Sequence, residues 1–135
     1  MFKSGVFDYA DVINKAADAS WLKHQAIANN IANIDTPGYK RVDVDFESVL
    51  EYELRHFQYE PLDVKVKNVH LNRLDVGTYV DAPDYSYRID KNNVDIDQEA
   101  SQLAKNQIKY QGLINSMSSE FSRTKTAIGS GQYEV

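Results

Sequence analysis

The sequence predicts a mainly α protein. Long N- and C-terminal helices form a coiled-coil-like pair, with a short helix and a small β-rich middle region between them. Three observations carry this prediction. An apolar series at heptad spacing runs through the first quarter of the chain, and a stricter one runs through the last third. Between them the pattern shortens to alternating residues separated by turn signals. The implied organisation is a helical core built from both chain ends, residues 1–34 plus 96–135, and a middle region, 35–95.

Composition narrows the function. A chain of 135 residues suits one ordinary domain with a modest core. With 42% hydrophobic and 26% charged residues it reads as foldable rather than disordered. The net charge of −5 gives little counterion release on a phosphate backbone, so no nucleic-acid partner is expected. Cysteine is absent, which excludes disulfides, thiolate metal sites and cysteine nucleophiles. No stretch approaches the roughly 18 apolar residues of a membrane helix, so no direct membrane insertion is expected. The first residues, "MFKSGVFDYADVINKAADAS", do not form a cleaved secretory signal, because Asp8 and Asp11 interrupt any apolar run. Composition alone therefore points to the cytosol.

The N-terminal helix is expected from about Asp8 to Asn33. Val6, Ile13, Ser20, Ile27 and Ile34 recur every seven residues, and Ala10, Ala17, His24 and Ile31 form a second series offset by four. Ala16, Ala17, Ala19 and Ser20 make the middle of this seam small, so the helix buries little area and needs partners. The C-terminal series is Ile96, Ala100, Leu103, Gln107, Tyr110, Ile114, Met117, Phe121, Thr124 and Ile128, in unbroken steps of four and three. Asp95 and Gln98 are placed to cap its start, and Gly129 and Gly131 to end it. Such a helix is about 50 Å long, which suggests an elongated object. The polar and small seam positions Ser20, His24, Gln107 and Thr124 suit the setting of register.

In the middle, "FESVLEYELRHF" has helical spacing and reads as a short helix. "DVKVKNVHLNRL" and "TYVDAPDYSYRI" alternate apolar and polar residues and read as short strands, with a turn at Asp75-Val76-Gly77. So little sheet needs support from a helix or a neighbouring chain.

Chemistry is sparse. His24, His56 and His70 are scattered without a second ligand at metal spacing. Asp43, Asp45 and Glu47 form an alternating carboxylate row that in a strand shares one face. It reads as a solvated or lysine-facing row, with a divalent-cation site as the sharper alternative. "DKNNVDIDQE" is not a calcium loop, because Val94 replaces an oxygen ligand and the glycine is missing. There is no phosphate loop, dinucleotide fingerprint or nucleophile elbow, so neither an enzyme nor a cofactor is expected. Nine tyrosines in an acidic chain suit packed interfaces.

"ANNIANIDTPGYKR" ends the first helix abruptly. Thr36-Pro37-Gly38-Tyr39 carries a type II turn signature: proline pre-sets the first central residue and glycine accepts positive φ at the second. Pro37 also pushes Thr36 out of helical geometry, and Asn33 suits the helix end as a residue that tolerates the left-handed region. Asn29 and Asn30 are left over. Their amides suit hydrogen bonding to a neighbouring backbone or amide.

This stretch resembles the N-terminal signature of the flagellar rod, hook and hook-associated protein family: an Asn-rich helix end followed by a Thr-Pro-Gly-Tyr-Lys-like turn. "DKNNVDIDQEASQLAKNQIKYQGLINSM" resembles the family's second signature, an Asn-Asn-Val-Asp stretch that opens the terminal helix. Within the family, "NIDTPGYKRVDVDFESVL", the short length and the small middle look like the proximal rod members.

The resemblance implies a structural subunit of the flagellar basal body that self-assembles helically into the proximal rod. It implies export through the flagellar type III apparatus without a cleaved signal peptide, and a periplasmic location. Implied partners are other rod proteins, basal-body ring and adaptor subunits, and the export apparatus. Carried onto this chain, Asn29, Asn30, Asn33, Thr36, Pro37, Gly38 and Tyr39 form the helix end and turn with an intersubunit role. Asn92, Asn93, Val94 and Asp95 start the second helix. Ile96, Leu103, Tyr110, Ile114, Met117 and Phe121 carry its seam. Two other readings fit parts of the sequence. One is a soluble coiled-coil adaptor forming discrete cytosolic oligomers, which the heptads alone allow. The other is a small hydrolase using Asp43, Asp45 and Glu47.

Overall fold

Helix α1 spans Asp8–Ala32 and helix α4 spans Ile96–Ser130, in a computed structural model that describes residues 5, 7–81, 86 and 88–130. Asp8 and Asp11 sit in the first turn of α1, where acidic groups complement the helix dipole. At the other end the Asn33 side-chain amide donates to the Asn29 carbonyl at 2.8 Å, and the Asn33 backbone N–H donates to Asn29 and Asn30. Asn33 does this at φ −106°, so it caps by its side chain and not through a left-handed backbone. Asp95 opens α4: its carboxylate accepts the backbone N–H of Asp97 at 2.9 Å and of Gln98 at 3.3 Å. The helix continues through Gly129 to Ser130.

The two helices are antiparallel neighbours, since Ser20 meets Asn106 while Asn30 meets Glu99. Ala16, Ala17, Ala19, Ser20, Ala26 and Ile27 are buried on α1. Small side chains there let the helix axes approach closely. Ser20 Oγ donates to Asn106 Oδ1 at 2.8 Å, and Asn106 Nδ2 donates to the Ser20 carbonyl at 2.8 Å. A one-turn slip of either helix breaks both bonds inside the pair, so this buried polar layer fixes the register.

The covered line of α4 differs from the expected seam. It runs through Glu99, Leu103, Asn106, Tyr110, Leu113 and Met117, all buried or half-buried. Leu103, Tyr110 and Met117 belong to the expected series. The alternate positions do not fit: Gln107 is exposed and Phe121 is 52% exposed, and at the start of the shared column Ile96 is 45% exposed. Both lines step by four and three, and they share one column. The helix turns Glu99, Asn106 and Leu113 inward because buried partners on the rest of the chain satisfy the first two. Ile114 is half-buried, at the border between the two lines.

The middle is more helical than its sequence suggests. Strand β1, Val42–Asp43, pairs antiparallel with β2, Tyr79–Val80, in the register Val42↔Val80. Between them lie α2 (Glu47–Arg55), α3 (Leu62–Asn68) and a 3₁₀ turn (Leu71–Leu74). Helix α2 falls where its spacing placed it. The segment read as the strand "DVKVKNVHLNRL" is instead α3 and the 3₁₀ turn. Pro61 starts α3: it has no N–H to lose, and its carbonyl accepts from Val64 and Lys65 at 3.1 Å. Val66 is buried and Val64 exposed, so the valines of a short helix were mistaken for the period of two of a strand. The expected turn at Asp75-Val76-Gly77 is an extended link from the 3₁₀ turn to β2. Of "TYVDAPDYSYRI", Tyr79 and Val80 are strand, and residues 82–85 and 87 lie outside the described residues. Phe46, Val69 and Leu74 bring this region onto α1 at Ala16 and Ala19, with Val12, Leu50 and Leu54 around them.

The turn between α1 and β1 forms as its residues dictate. Tyr39 N–H donates to the Thr36 carbonyl at 3.2 Å, and Gly38 has φ +74°. A Cβ at Gly38 meets nothing within 4 Å, so a substitution there is opposed by backbone conformation alone. Gly38→Val is expected to cost about 1–3 kcal/mol, read as a lowered midpoint in denaturant unfolding. An unchanged midpoint contradicts the type II turn.

Candidate assembly site: a polar junction between the chain ends

Asn30 answers why asparagines close a hydrophobic helix. Its side chain is fully buried and behaves as a strip of backbone. Nδ2 donates to the Val42 carbonyl at 2.8 Å, and Oδ1 accepts the Val42 N–H at 2.9 Å. The last turn of α1 thus pairs with β1 through one amide. The same amide also reaches Glu99 Oε2 at 3.1 Å and accepts the Tyr39 hydroxyl at 3.1 Å. Every donor and acceptor position of Asn30 is used.

Glu99, in the first turn of α4, is fully buried. Its other oxygen accepts Arg41 Nε. Arg41 is itself nearly buried, and its Nη1 donates to Asp43 at 2.9 Å and to Asp81 at 2.6 Å. Burial works against the Arg41 charge, but the Glu99 hydrogen bond and the Asp43 carboxylate hold its pKa above the ordinary value. The result is a buried cation ringed by three carboxylates, one from β1, one just beyond β2 and one from the first turn of α4.

A second asparagine ties the ends from the other side. Asn92 is fully buried, and its Nδ2 lies 2.9 Å from each of the Asn33, Ile34 and Thr36 carbonyls. The first of these belongs to the C-cap of α1 and the other two to the turn that follows, so one amide clasps the helix end and the turn together. Arg88 adds a bond to Ile34 O at 2.7 Å, and Gly38 N–H donates to Asp90 O at 2.7 Å. Asn92 Oδ1 accepts the Val94 N–H at 2.8 Å, which shapes the approach to α4. Asn93 Oδ1 accepts the Arg41 N–H at 2.6 Å, and its amide donates to Asp81 O at 3.0 Å. Lys91, at φ +62°, turns the chain into this arrangement.

The structure thus brings Asn30, Asn33, Tyr39, Asn92, Asn93 and Val94 into one junction. Asn29 contributes its carbonyl, while Thr36, Pro37 and Gly38 form the exposed turn above it. Asp95 caps α4 from the exposed side. Leu103, Tyr110, Ile114, Met117 and Phe121 lie further along α4, away from the junction, and Ile96 is exposed beside it. Sequence reasoning missed Arg41, Glu99, Asp81 and Arg88. One signal was present: Glu99 stands three residues beyond Ile96 and four before Leu103, on the column that also holds Asn106 and Leu113. A charge in an apolar column calls for a buried partner.

The carboxylate row does not converge. Asp43 faces Arg41 and Lys23, Asp45 accepts the Ser48 N–H at 3.0 Å, and Glu47 pairs with Lys109. Lysines face Asp43 and Glu47, and Asp45 is exposed. Among the described residues no group of three or more histidines and carboxylates is placed to hold a metal ion. Burial alone would raise Asp43, but the Val44 N–H, Lys23 and Arg41 together hold its carboxyl below the usual range. A carboxylate lowered on folding stabilises at neutral pH. That contribution is present above the unfolded value, about 3.9, and is lost as pH falls through the lower folded value. Acidification below about pH 4 is therefore expected to destabilise the chain, and Asp43→Asn to flatten part of that acid limb. Melting curves against pH check this; parallel acid limbs for both proteins contradict it.

The family described as "Flagella basal body rod protein" matches residues 23–40, the last turns of α1 and the turn that follows. The flagellar basal body rod protein FlgB of Bacillus subtilis is 36% identical over 121 residues, covering 89% of this chain and 92% of that protein. The chain belongs to the FlgB family of flagellar basal body rod proteins. FlgB of Borrelia hermsii is 32% identical over 126 residues, with 87% and 93% covered, and FlgB of Escherichia coli is 28% identical over 116. The match at 23–40 holds Asn30 and all three carbonyls that Asn92 binds. The segment by which the family is recognised is therefore one half of the junction.

Proposed function

We propose that the chain is a structural subunit of the proximal flagellar rod that builds a tube by helical self-assembly. The observation that carries this reading is the apolar stripe of α4, which is wider than α1 covers. Its apolar residues Ala100, Phe121 and Ile128 remain exposed beside the covered line. In a FlgB-family chain, such a flank is available to neighbouring subunits. The two ends, residues 1–34 plus 96–135, act as the helical core in a coiled-coil-like pair, and residues 35–95 face outward or toward the next subunit.

In this reading the Asn-rich turn and the Asn92–Asp95 stretch hold the ends at a fixed angle, and the turn itself meets a neighbour. Partners are other rod proteins, ring and adaptor subunits, and the type III export apparatus that delivers the chain to the periplasm without a cleaved signal. The chain performs no catalysis. Mass spectrometry of purified basal bodies from the source bacterium tests the placement. The chain is expected among their constituents; its absence from intact basal bodies contradicts the reading.

A further inference from the structure

Two features of the surface are unused by the junction. The first is a groove of about 340 Å³ between α1 and α4, lined by Trp21, His24, Gln107, Tyr110 and Gln111. The only tryptophan in the chain stands here, 56% exposed. Its ring stacks on His24 at 5.9 Å and 10°, and Tyr110 tilts against it at 6.4 Å. An exposed aromatic already held in place by its neighbours loses little freedom when covered, the property of an interface anchor.

The second feature is the C-terminal end of α4. Ser20 is level with Asn106. Asp8, twelve residues before Ser20, is therefore level with Ser118, twelve after Asn106. Beyond that level α4 runs on to Ser130 past the start of α1, with Phe121 52% and Ile128 70% exposed. Phe121 and Ile128 belong to the same column as Gln107, which lines the groove, so the groove and the end of α4 lie on one continuous flank.

We infer that the C-terminal end of α4 of one copy seats Phe121 in the Trp21–Tyr110 groove of a second copy. The two features cannot meet within one molecule, because Tyr110 and Phe121 are about 16 Å apart along one helix. Charge favours the same match. The end of α4 carries exposed Lys125, with Arg123 paired to Glu120, while exposed Asp18 stands one turn before Trp21, with exposed Asp11 further along α1. Joining two different patches of identical chains is a heterologous contact, which propagates into an open helical polymer and not a closed dimer. The inference rests on the rod-subunit reading and gives that reading a specific contact.

The absence of cysteine makes the test clean. Exposed Gln111 and Lys125 are replaced as Gln111→Cys and Lys125→Cys, singly and together, in the chain carried by the source bacterium. Cells are treated with a short bismaleimide and basal bodies are purified. The two sites are about 21 Å apart on one helix, beyond the reach of the reagent within one molecule. The double variant is expected to give a ladder at multiples of the 15.4 kDa chain, and each single variant none. Adding Trp21→Ala is expected to lower the ladder at least tenfold with helix content unchanged.

Three outcomes overturn the inference while leaving the rod-subunit reading intact. They are no ladder in basal bodies that contain the chain, a product from Gln111→Cys alone, and a cross-link to a different protein. Basal bodies that lack the chain overturn both.

Discussion

Arg41→Leu is expected to destabilise the chain by about 3–5 kcal/mol, the cost of leaving a buried charge without its partner. Glu99 is fully buried, and its two contacts are Arg41 and Asn30. Removing the guanidinium leaves one neutral amide to balance the carboxylate; it also takes the ion pair from Asp81 and leaves Asp43 with Lys23 alone. Against a total stability of roughly 5–15 kcal/mol, such a loss unfolds a large part of the population on warming. The double variant Arg41→Leu with Glu99→Leu removes both charges, so it should recover much of that loss. Denaturant unfolding of the four proteins gives the coupling directly. If Arg41→Leu and the double variant lose equal stability, the ion pair is not what makes Arg41 matter.

Asn30→Ala is the second large effect. It removes the donor to Val42 O and Glu99 and the acceptor for Val42 N–H and Tyr39 OH. Each buried group left without a partner costs about 1–3 kcal/mol, and three of the four lie in the interior or close to it. A loss of at least about 2 kcal/mol is expected, measured by the same unfolding curves. Asn30→Asp should be worse at neutral pH despite its matching shape. It loses the donor and sets a second carboxylate against Glu99. Burial and repulsion would raise the pKa of the new carboxyl on folding. Its neutral form therefore prevails at low pH, and the penalty grows as pH rises through the folded value. An Asn30→Asp variant as stable as the parent at neutral pH contradicts the geometry at this residue.

Much of the fold was legible because its signals are local. Asp95 caps α4 from one residue away, Pro37 and Gly38 set the turn, and the heptads mark both long helices. The choice of covered column on α4 was not legible. A step of four and three fits Gln107, Ile114 and Phe121 as well as Glu99, Asn106 and Leu113, and hydrophobicity favours the wrong set. What decides is satisfaction of buried polar groups by partners 58–86 residues away, such as Arg41 for Glu99 and Ser20 for Asn106. The same limit applies to the site. The asparagines were conspicuous by residue type, but Arg41 and Glu99 look like ordinary surface charges until the chain ends meet. In the middle, a few alternating valines are too short a pattern to separate strand from helix.

The junction ties the end of α1 and the start of α4 together through buried hydrogen bonds, and the exposed flank of α4 is the surface that the proposed assembly uses. The measurement that bears most directly on the claim is an in-frame deletion in the source bacterium, followed by electron microscopy of its basal bodies. The account predicts that rings remain while rod, hook and filament are missing, and that the intact chain restores them. A normal rod and hook in the deletion strain would contradict it.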